Sequence, residues 1–297
     1  MHWDPEQYLR FADERGRPFR DLLARVGAVG PATVVDLGCG PGNLTRELAE
    51  RWPRARVTGV DASPEMIARA RADAAARPDT ADPDGGAARA GGGAAGADGM
   101  ATDPDGVAPD PDGERAGRVG FELGDLREWQ PPEPVDVLVS NATLQWVPGH
   151  LAVLDRLVGQ LAGGGWLAFQ VPGNFAEPTH TELAAVRSLP RWRERLAGAQ
   201  LATPGVEEPA TYLARLARLG LAVDVWETTY LQVLPGEDAV LEWMRGTGLR
   251  PVLAALGPDE QAEFSAEYGA RLRRAYPRQE FGTVLPYRRI FVVAHRV

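Results

Sequence analysis

Apolar residues along this chain come in short runs separated by amphipathic stretches. TVVDL (33–37) is apolar without alternation; GCGPG follows it, then NLTRELAERW (43–52), whose spacing predicts a helix. RVTGVD (56–61) predicts the next strand. Beyond it Ser63 offers an N-cap, with Pro64 at the first helical position and Glu65 in the first turn of a helix running through MIARARADAAA. GFEL (120–123) and VDVLVSN (135–141) predict two more strands. HLAVLDRLVGQLA (150–162) predicts a helix that stops at Gly163, Gly164 and Gly165, and WLAFQV (166–171) a further strand. Strands alternating with helices predict βαβ units and a mostly parallel sheet, an α/β fold. The runs VVDL, VLVS and LAFQV do not alternate, as expected of strands covered on both faces.

The last third reads differently. Helix TYLARLARL (211–219) ends at Gly220, and two strands follow, AVDVWETTYLQVL (222–234) and RRIFVVAHRV (288–297). Between them lies a mainly helical stretch. Its clearest helix, 258–277, opens on Pro258 and carries Arg271, Arg273 and Arg274 near its end, where basic residues suit the helix dipole. No tight turn joins the two strands, so 235–287 is expected to be a helical cap over a substrate site, inserted before the last strand of a single 1–297 domain. From about Arg77 to Arg118 the chain is Ala, Gly, Asp and Pro with almost no large apolar residue, which predicts a disordered insertion. Its DPDG repeats lack the 12-residue frame and flanking helices of a calcium loop.

Composition narrows the function. The chain has 297 residues, 44% hydrophobic and 25% charged, as in soluble globular proteins. No apolar run approaches the roughly 18 residues that span a bilayer, and MHWDPEQYLR lacks the features of a signal peptide, so a cytoplasmic protein is expected. The formal charge of −9 argues against nucleic acid or an anionic membrane as partner. Cys39 is the only cysteine, and His2, His150, His180 and His295 show no metal-ligand spacing, so no metal is expected. There is no lysine among the 32 basic residues, so recognition of anions falls to arginine or backbone N–H groups. No feature points to an obligate oligomer, and a monomer is expected.

VVDLGCGPGN carries the chemistry. A strand runs into Asp36 and then Gly38, Gly40 and Gly42, which permit a tight turn and close backbone approach to a ligand. A dinucleotide site would need G-x-G-x-x-G, and here the third glycine comes one residue early. Asp36 would repel a pyrophosphate and favour a cation. Asp61 ends the second strand, where an acid binds ribose hydroxyls. Together they describe a nucleoside with a cationic tail, and S-adenosyl-L-methionine fits.

DLGCGPGN, TGVDASPEMIARAR, ELGD and VSNATLQWV resemble the Rossmann-like class I methyltransferases. WDPEQYLRFADERGRPFRDLLARV, NATLQWVPGH, VPGNFAEPTH, WETTY, TGLRP and RRIFVVA narrow the resemblance to the trans-aconitate 2-methyltransferase family, over nearly the whole chain except the 77–118 insertion. The resemblance implies a Rossmann-like sheet with an antiparallel last strand and a helical lid, S-adenosyl-L-methionine as cofactor, and a small polycarboxylate as substrate. It also implies a cofactor shell. Gly38 and Gly40 lie under the methionyl part near Asp36, Asp61 holds the ribose, and Ala62 and Met66 flank the adenine. Gly124, Asp125 and Leu126 follow the third strand, with Asp125 accepting the adenine amino group, and Asn141 faces the sulfonium. A carboxylate nucleophile, with a reference pKa of about 4, is already ionised at neutral pH, so no general base is expected.

Three carboxylates call for arginine forks. Arg250, in TGLRP, and Arg289, at the start of the last strand, are singled out by the resemblance. Arg15 and Arg17 lie in the N-terminal segment expected to cover the cofactor. Tyr8, Trp146, Trp243 and Tyr287 are candidates to wall the substrate pocket and exclude water. Two other functions fit the same sequence. One is methylation of a phenol, amine or acyl-carrier substrate, with His150 or His180 as an essential base. The other is a non-catalytic or dinucleotide-binding α/β protein.

Overall fold

The computed structural model describes residues 12–76, 118–197 and 205–297. Tyr8 and, Arg118 apart, the expected disordered insertion lie outside the described residues. Helix α1 (Ala12–Leu23) leads into β1 (Thr33–Leu37), α2 (Asn43–Arg51), β2 (Arg56–Asp61), α3 (Pro64–Ala76), β3 (Val119–Leu123) and β4 (Val135–Asn141). A 3-10 turn (Leu144–Trp146), α4 (His150–Gly159), β5 (Leu161–Pro172), α5 (Pro178–Ser188), α6 (Pro190–Arg195), α7 (Pro209–Arg218) and β6 (Leu221–Leu234) follow. Helices α8 (Ala239–Arg245), α9 (Arg250–Ala254) and α10 (Pro258–Ala275) separate β6 from the last strand, β7 (Thr283–Arg296).

The strands form one seven-stranded sheet in the order β3-β2-β1-β4-β5-β7-β6. Strands β1 to β5 run parallel, and β7 runs antiparallel between β5 and β6. The unalternating runs are covered on both faces, as their apolar character requires. On one face Val35, Leu37 and Leu138 pack with Leu154, Leu157 and Tyr212 of α4 and α7. On the other, Val34, Val137 and Val139 pack with Phe19 and Leu22 of α1 and Leu48 of α2. The Ser63 cap forms: its hydroxyl accepts from the Met66 N–H at 3.3 Å, so α3 starts where the β2 end needs it.

Three expectations are corrected. The helix at 150 ends at Gly159, and the three glycines lie inside β5. Leu161 is buried and pairs with Val135, and the pairing register then shifts before Val137 meets Trp166. Gly164, at φ +73°, allows that irregularity, so the glycines bend a strand where they read as a helix stop. Strand β7 begins at Thr283, so 283–287 belongs to the sheet, where it pairs with β6. The cap is also made of two segments rather than one. Leu183, Val186 and Trp192 of α5 and α6 share a core with Trp243, Phe264, Tyr268 and Leu272 of α8 and α10.

Polar contacts fix this second layer. The Tyr268 hydroxyl donates to the Thr179 carbonyl, and the indole N–H of Trp192 donates to Glu267 at 2.9 Å. Arg271 pairs with Glu182 of α5 at 3.0 Å, and Arg273 pairs with Asp238 ahead of α8. Both arginines therefore tie α10 to its neighbours. No helix among the described residues is long and apolar enough to cross a membrane, and none of their His, Cys, Asp and Glu side chains group to hold a metal ion.

Candidate active site

The strand order reverses between β1 and β4, and a ligand crevice is expected at the carboxyl ends of strands flanking such a point. A cavity of about 1110 Å³, part of it open solvent, lies there. Its wall includes Asp36, Gly38, Gly40, Asp61, Met66, Asn141 and Trp146.

The glycine turn is built for approach from the cavity side. Gly38 has φ +78°, and a Cβ on it would stand 2.2 Å from Oγ1 of Thr143, so the β1 turn can press against the β4 end only as glycine. At Gly40 a Cβ would meet nothing within 4 Å, which leaves open space above the backbone. The Gly40 N–H donates to one oxygen of Asp61 at 2.9 Å, and the Ser63 N–H donates to the other at 2.9 Å. The Asp61 carboxylate is thereby held rigidly, with lone pairs left for two hydroxyls.

Asp36 is 2% exposed and accepts from the Thr45 hydroxyl at 2.7 Å. Burial pushes its carboxyl up to about 6; the Thr45 hydrogen bond works against this, and the nearby Asp61 charge adds to it. The site therefore holds two acids in one low-dielectric wall, an arrangement that favours a cationic ligand. The Cys39 thiol on the same wall is pushed up by burial and by Asp36 and Asp61, away from its reactive form.

At the β4 end Ala142 adopts φ +54°, a conformation uncommon outside glycine, and it sits on the cavity wall. Next to it Asn141 accepts from the Gln170 amino group, and the Gln170 oxygen accepts from Nη1 of Arg289 at 3.1 Å. Arg289 is 5% exposed. Its guanidinium lies over the Tyr287 ring at 4.6 Å, and Tyr287 in turn meets Trp243 of the cap edge-on at 5.6 Å. The Arg289 Nε is buried with no hydrogen-bond partner, and no carboxylate among the described residues pairs with this cation.

The sequence matches known proteins over this same architecture. Residues 8–224 match the methyltransferase domain family. Trans-aconitate 2-methyltransferase of Streptomyces avermitilis is 50% identical over 99% of this chain and 97% of its own length. This chain belongs to the trans-aconitate 2-methyltransferase family. The enzyme of the same name from Streptomyces coelicolor is 48% identical over 99% of this chain and 86% of its own. In fold, the chain resembles coclaurine N-methyltransferase bound to N-methylheliamine and SAH, with a TM-score of 0.51 and 14% identity over 95% of this chain and 73% of that one.

Within this methyltransferase fold the expected residues divide. Asp36, Gly38, Gly40, Asp61, Met66, Asn141 and Trp146 meet at the cavity. Ala62, Gly124, Asp125 and Leu126 are not on its wall. Leu126 is buried in the core, so only its backbone can face a ligand. The Asp125 carboxylate is taken by Arg127, whose backbone N–H and guanidinium both donate to it and hold it below the usual carboxylate range. Trp243 packs in the core of the cap, and its ring meets Tyr287, over which Arg289 lies. Arg250 opens α9, half-buried in the cap. Arg17 lies over Tyr230 at 5.0 Å, on the face that carries Arg289, while the side chain of Arg15 is not described.

Neither histidine considered as a base lines the cavity. His150 is bonded to the Tyr212 hydroxyl at 2.9 Å inside the core. His180 stands edge-on to Phe175, and burial pulls it down to about 4. Gln170 escaped the sequence reading. A glutamine inside the apolar run LAFQV was the available sign, because a buried amide there must find partners on other strands.

Proposed function

We propose that this chain transfers the methyl group of S-adenosyl-L-methionine to a carboxylate of trans-aconitate, giving the monomethyl ester and S-adenosylhomocysteine. The observation that carries the substrate class is Arg289. Arg289 is buried with no carboxylate partner among the described residues; a cation so placed is costly to keep, and the cost is offset when an anionic ligand arrives. The names of the relatives at 50% and 48% identity support trans-aconitate as that anion.

The residues on the wall fit the cofactor. Asp36 would hold its ammonium group, Asp61 its ribose hydroxyls, and the open face of Gly40 would admit its backbone contacts, with Met66 beside the adenine. When bound, the sulfonium supplies an electrophilic methyl carbon and leaves with the bonding electrons as a neutral thioether. The chain's own task is to position the acid. The substrate carboxylate is already ionised at neutral pH, so no side chain has to take a proton. Arg289, and Arg250 from the cap, would bind the carboxylates that do not react, leaving the third unclamped and nucleophilic. Tyr287 and the aromatic layer of the cap keep water away. Orientation of this kind supplies on the order of 7–11 kcal/mol.

The test is a turnover panel with trans-aconitate, cis-aconitate, citrate and isocitrate, the ester being located by NMR. Trans-aconitate should give the highest kcat/KM. Equal kcat/KM for trans-aconitate and a monocarboxylate of similar shape would overturn the arginine clamp. We also infer a monomer acting in the cytoplasm on small molecules; sedimentation of the purified chain reads the mass directly.

A further inference from the structure

Gln170 lies in β5, between two covered faces of the sheet, and is 1% exposed. Its amide joins groups on both neighbouring strands, Asn141 of β4 and Arg289 of β7. The direction of this relay is dictated from one end. A guanidinium has only donors, so the Gln170 atom facing it must be the oxygen. The Gln170 amino group is then committed to Asn141, which must answer with its own oxygen. That leaves the Asn141 amino group turned away from Gln170. Asn141 is on the cavity wall, and no described residue accepts from its amino group.

We propose that Gln170 is a positioning residue: through it, the buried Arg289 forces Asn141 to present a hydrogen-bond donor to the carboxylate being methylated. This rests on the substrate proposed above. A donor on the oxygen that does not attack orients the carboxylate and leaves the other oxygen free. An acceptor at the same place would repel it. The same relay sets the spacing between two carboxylate contacts, one at Arg289 and one at Asn141, and so favours a polyacid over a monoacid.

Two substitutions separate this role from simple packing. Gln170→Leu removes the relay and leaves the Asn141 amide free to turn. Gln170→Glu keeps the shape but places a carboxylate between Asn141 and Arg289. The introduced carboxylate neutralises the arginine and accepts from the Asn141 amino group, which turns the Asn141 oxygen toward the cavity. We expect kcat to fall about tenfold and KM to rise severalfold in Gln170→Leu. In Gln170→Glu, kcat/KM should fall about a hundredfold or more. Affinity for S-adenosylhomocysteine, by calorimetry, should stay within about threefold in both, since neither removes a cofactor contact.

Packing alone predicts the reverse order, the isosteric Glu being tolerated better than Leu. Gln170→Glu equal to or better than Gln170→Leu in kcat/KM overturns the relay. If Gln170→Glu does not fold, Asn141→Asp is the second variant. It offers an oxygen both to Gln170 and to the cavity, and wild-type kcat/KM in it also overturns the relay. Wild-type turnover is the control. Wild type that neither methylates trans-aconitate nor binds tricarballylate in its S-adenosylhomocysteine complex sinks the substrate proposal, and the relay with it. Normal wild-type turnover with unaltered variants sinks the relay alone.

Discussion

Replacing Asp36 by Asn should make the empty protein more stable and the cofactor weaker-bound. Asp36 is 2% exposed and titrates at about 6 against an ordinary value of 3.8. Because its folded-state value is raised, the folded chain holds a proton that the unfolded chain releases between those two values. Stability therefore falls as pH rises through this window, and above pH 6 the full cost of the buried charge is present. At 1.36 kcal/mol per tenfold change in proton affinity, that cost is about 3 kcal/mol. An Asn oxygen can still accept from the Thr45 hydroxyl, which now stands 2.7 Å from the carboxylate, so the neutral side chain keeps its hydrogen bond.

The variant should then gain up to about 3 kcal/mol at pH 7.5 and almost nothing once the pH is below the unfolded value of 3.8, read by urea unfolding of the ligand-free protein on both sides of the window. In the wild type, a ligand ammonium group would favour the ionised form of Asp36. Binding of S-adenosylhomocysteine near pH 5.5 should thus release a proton, seen in calorimetry as a heat that depends on the buffer, and the Asn variant should lose this release. A variant no more stable than wild type at pH 7.5, or proton release unchanged in it, would refute the assignment of a strained carboxylate to this wall.

Asp61→Ala removes the carboxylate held by the Gly40 and Ser63 N–H groups, and should weaken cofactor affinity by about 1–3 kcal/mol in calorimetry. Gly38→Ala puts a methyl group against Thr143 at positive φ; urea unfolding should show a loss of about 2–4 kcal/mol, and Thr143→Ala in the same chain should restore part of it. Arg289→Met removes a buried cation and its fork, so Tm should hold or rise while KM for trans-aconitate increases at least tenfold. Arg250→Met should raise KM for the acid and leave S-adenosylhomocysteine affinity within about twofold, because Arg250 belongs to the cap. Equal KM in wild type and variant would remove that arginine from the site.

The local order of this chain was legible from its sequence because it depends on near neighbours. Unalternating apolar runs marked β1, β4 and β5, and the Ser63-Pro64-Glu65 start marked α3. Asp36, the glycine turn and Asp61 marked the wall of the cavity, since a ligand that touches a backbone turn requires those residue types at fixed spacing. Local rules also misled. Three glycines after a helix read as its stop, yet Leu161 was drawn into the sheet by burial beside Val135, and the glycines bent the strand. The cap shows the same limit. Periodicity found α10, but the partner that buries its apolar face, α5 and α6, comes before β6 in the chain. Only the tertiary structure decided the relay, because it joins residues 29 and 119 positions apart. Their side chains meet only after β5 has paired with β4 on one side and β7 on the other. Sequence spacing fixes which way a side chain leaves its own strand; strand order fixes what it then meets.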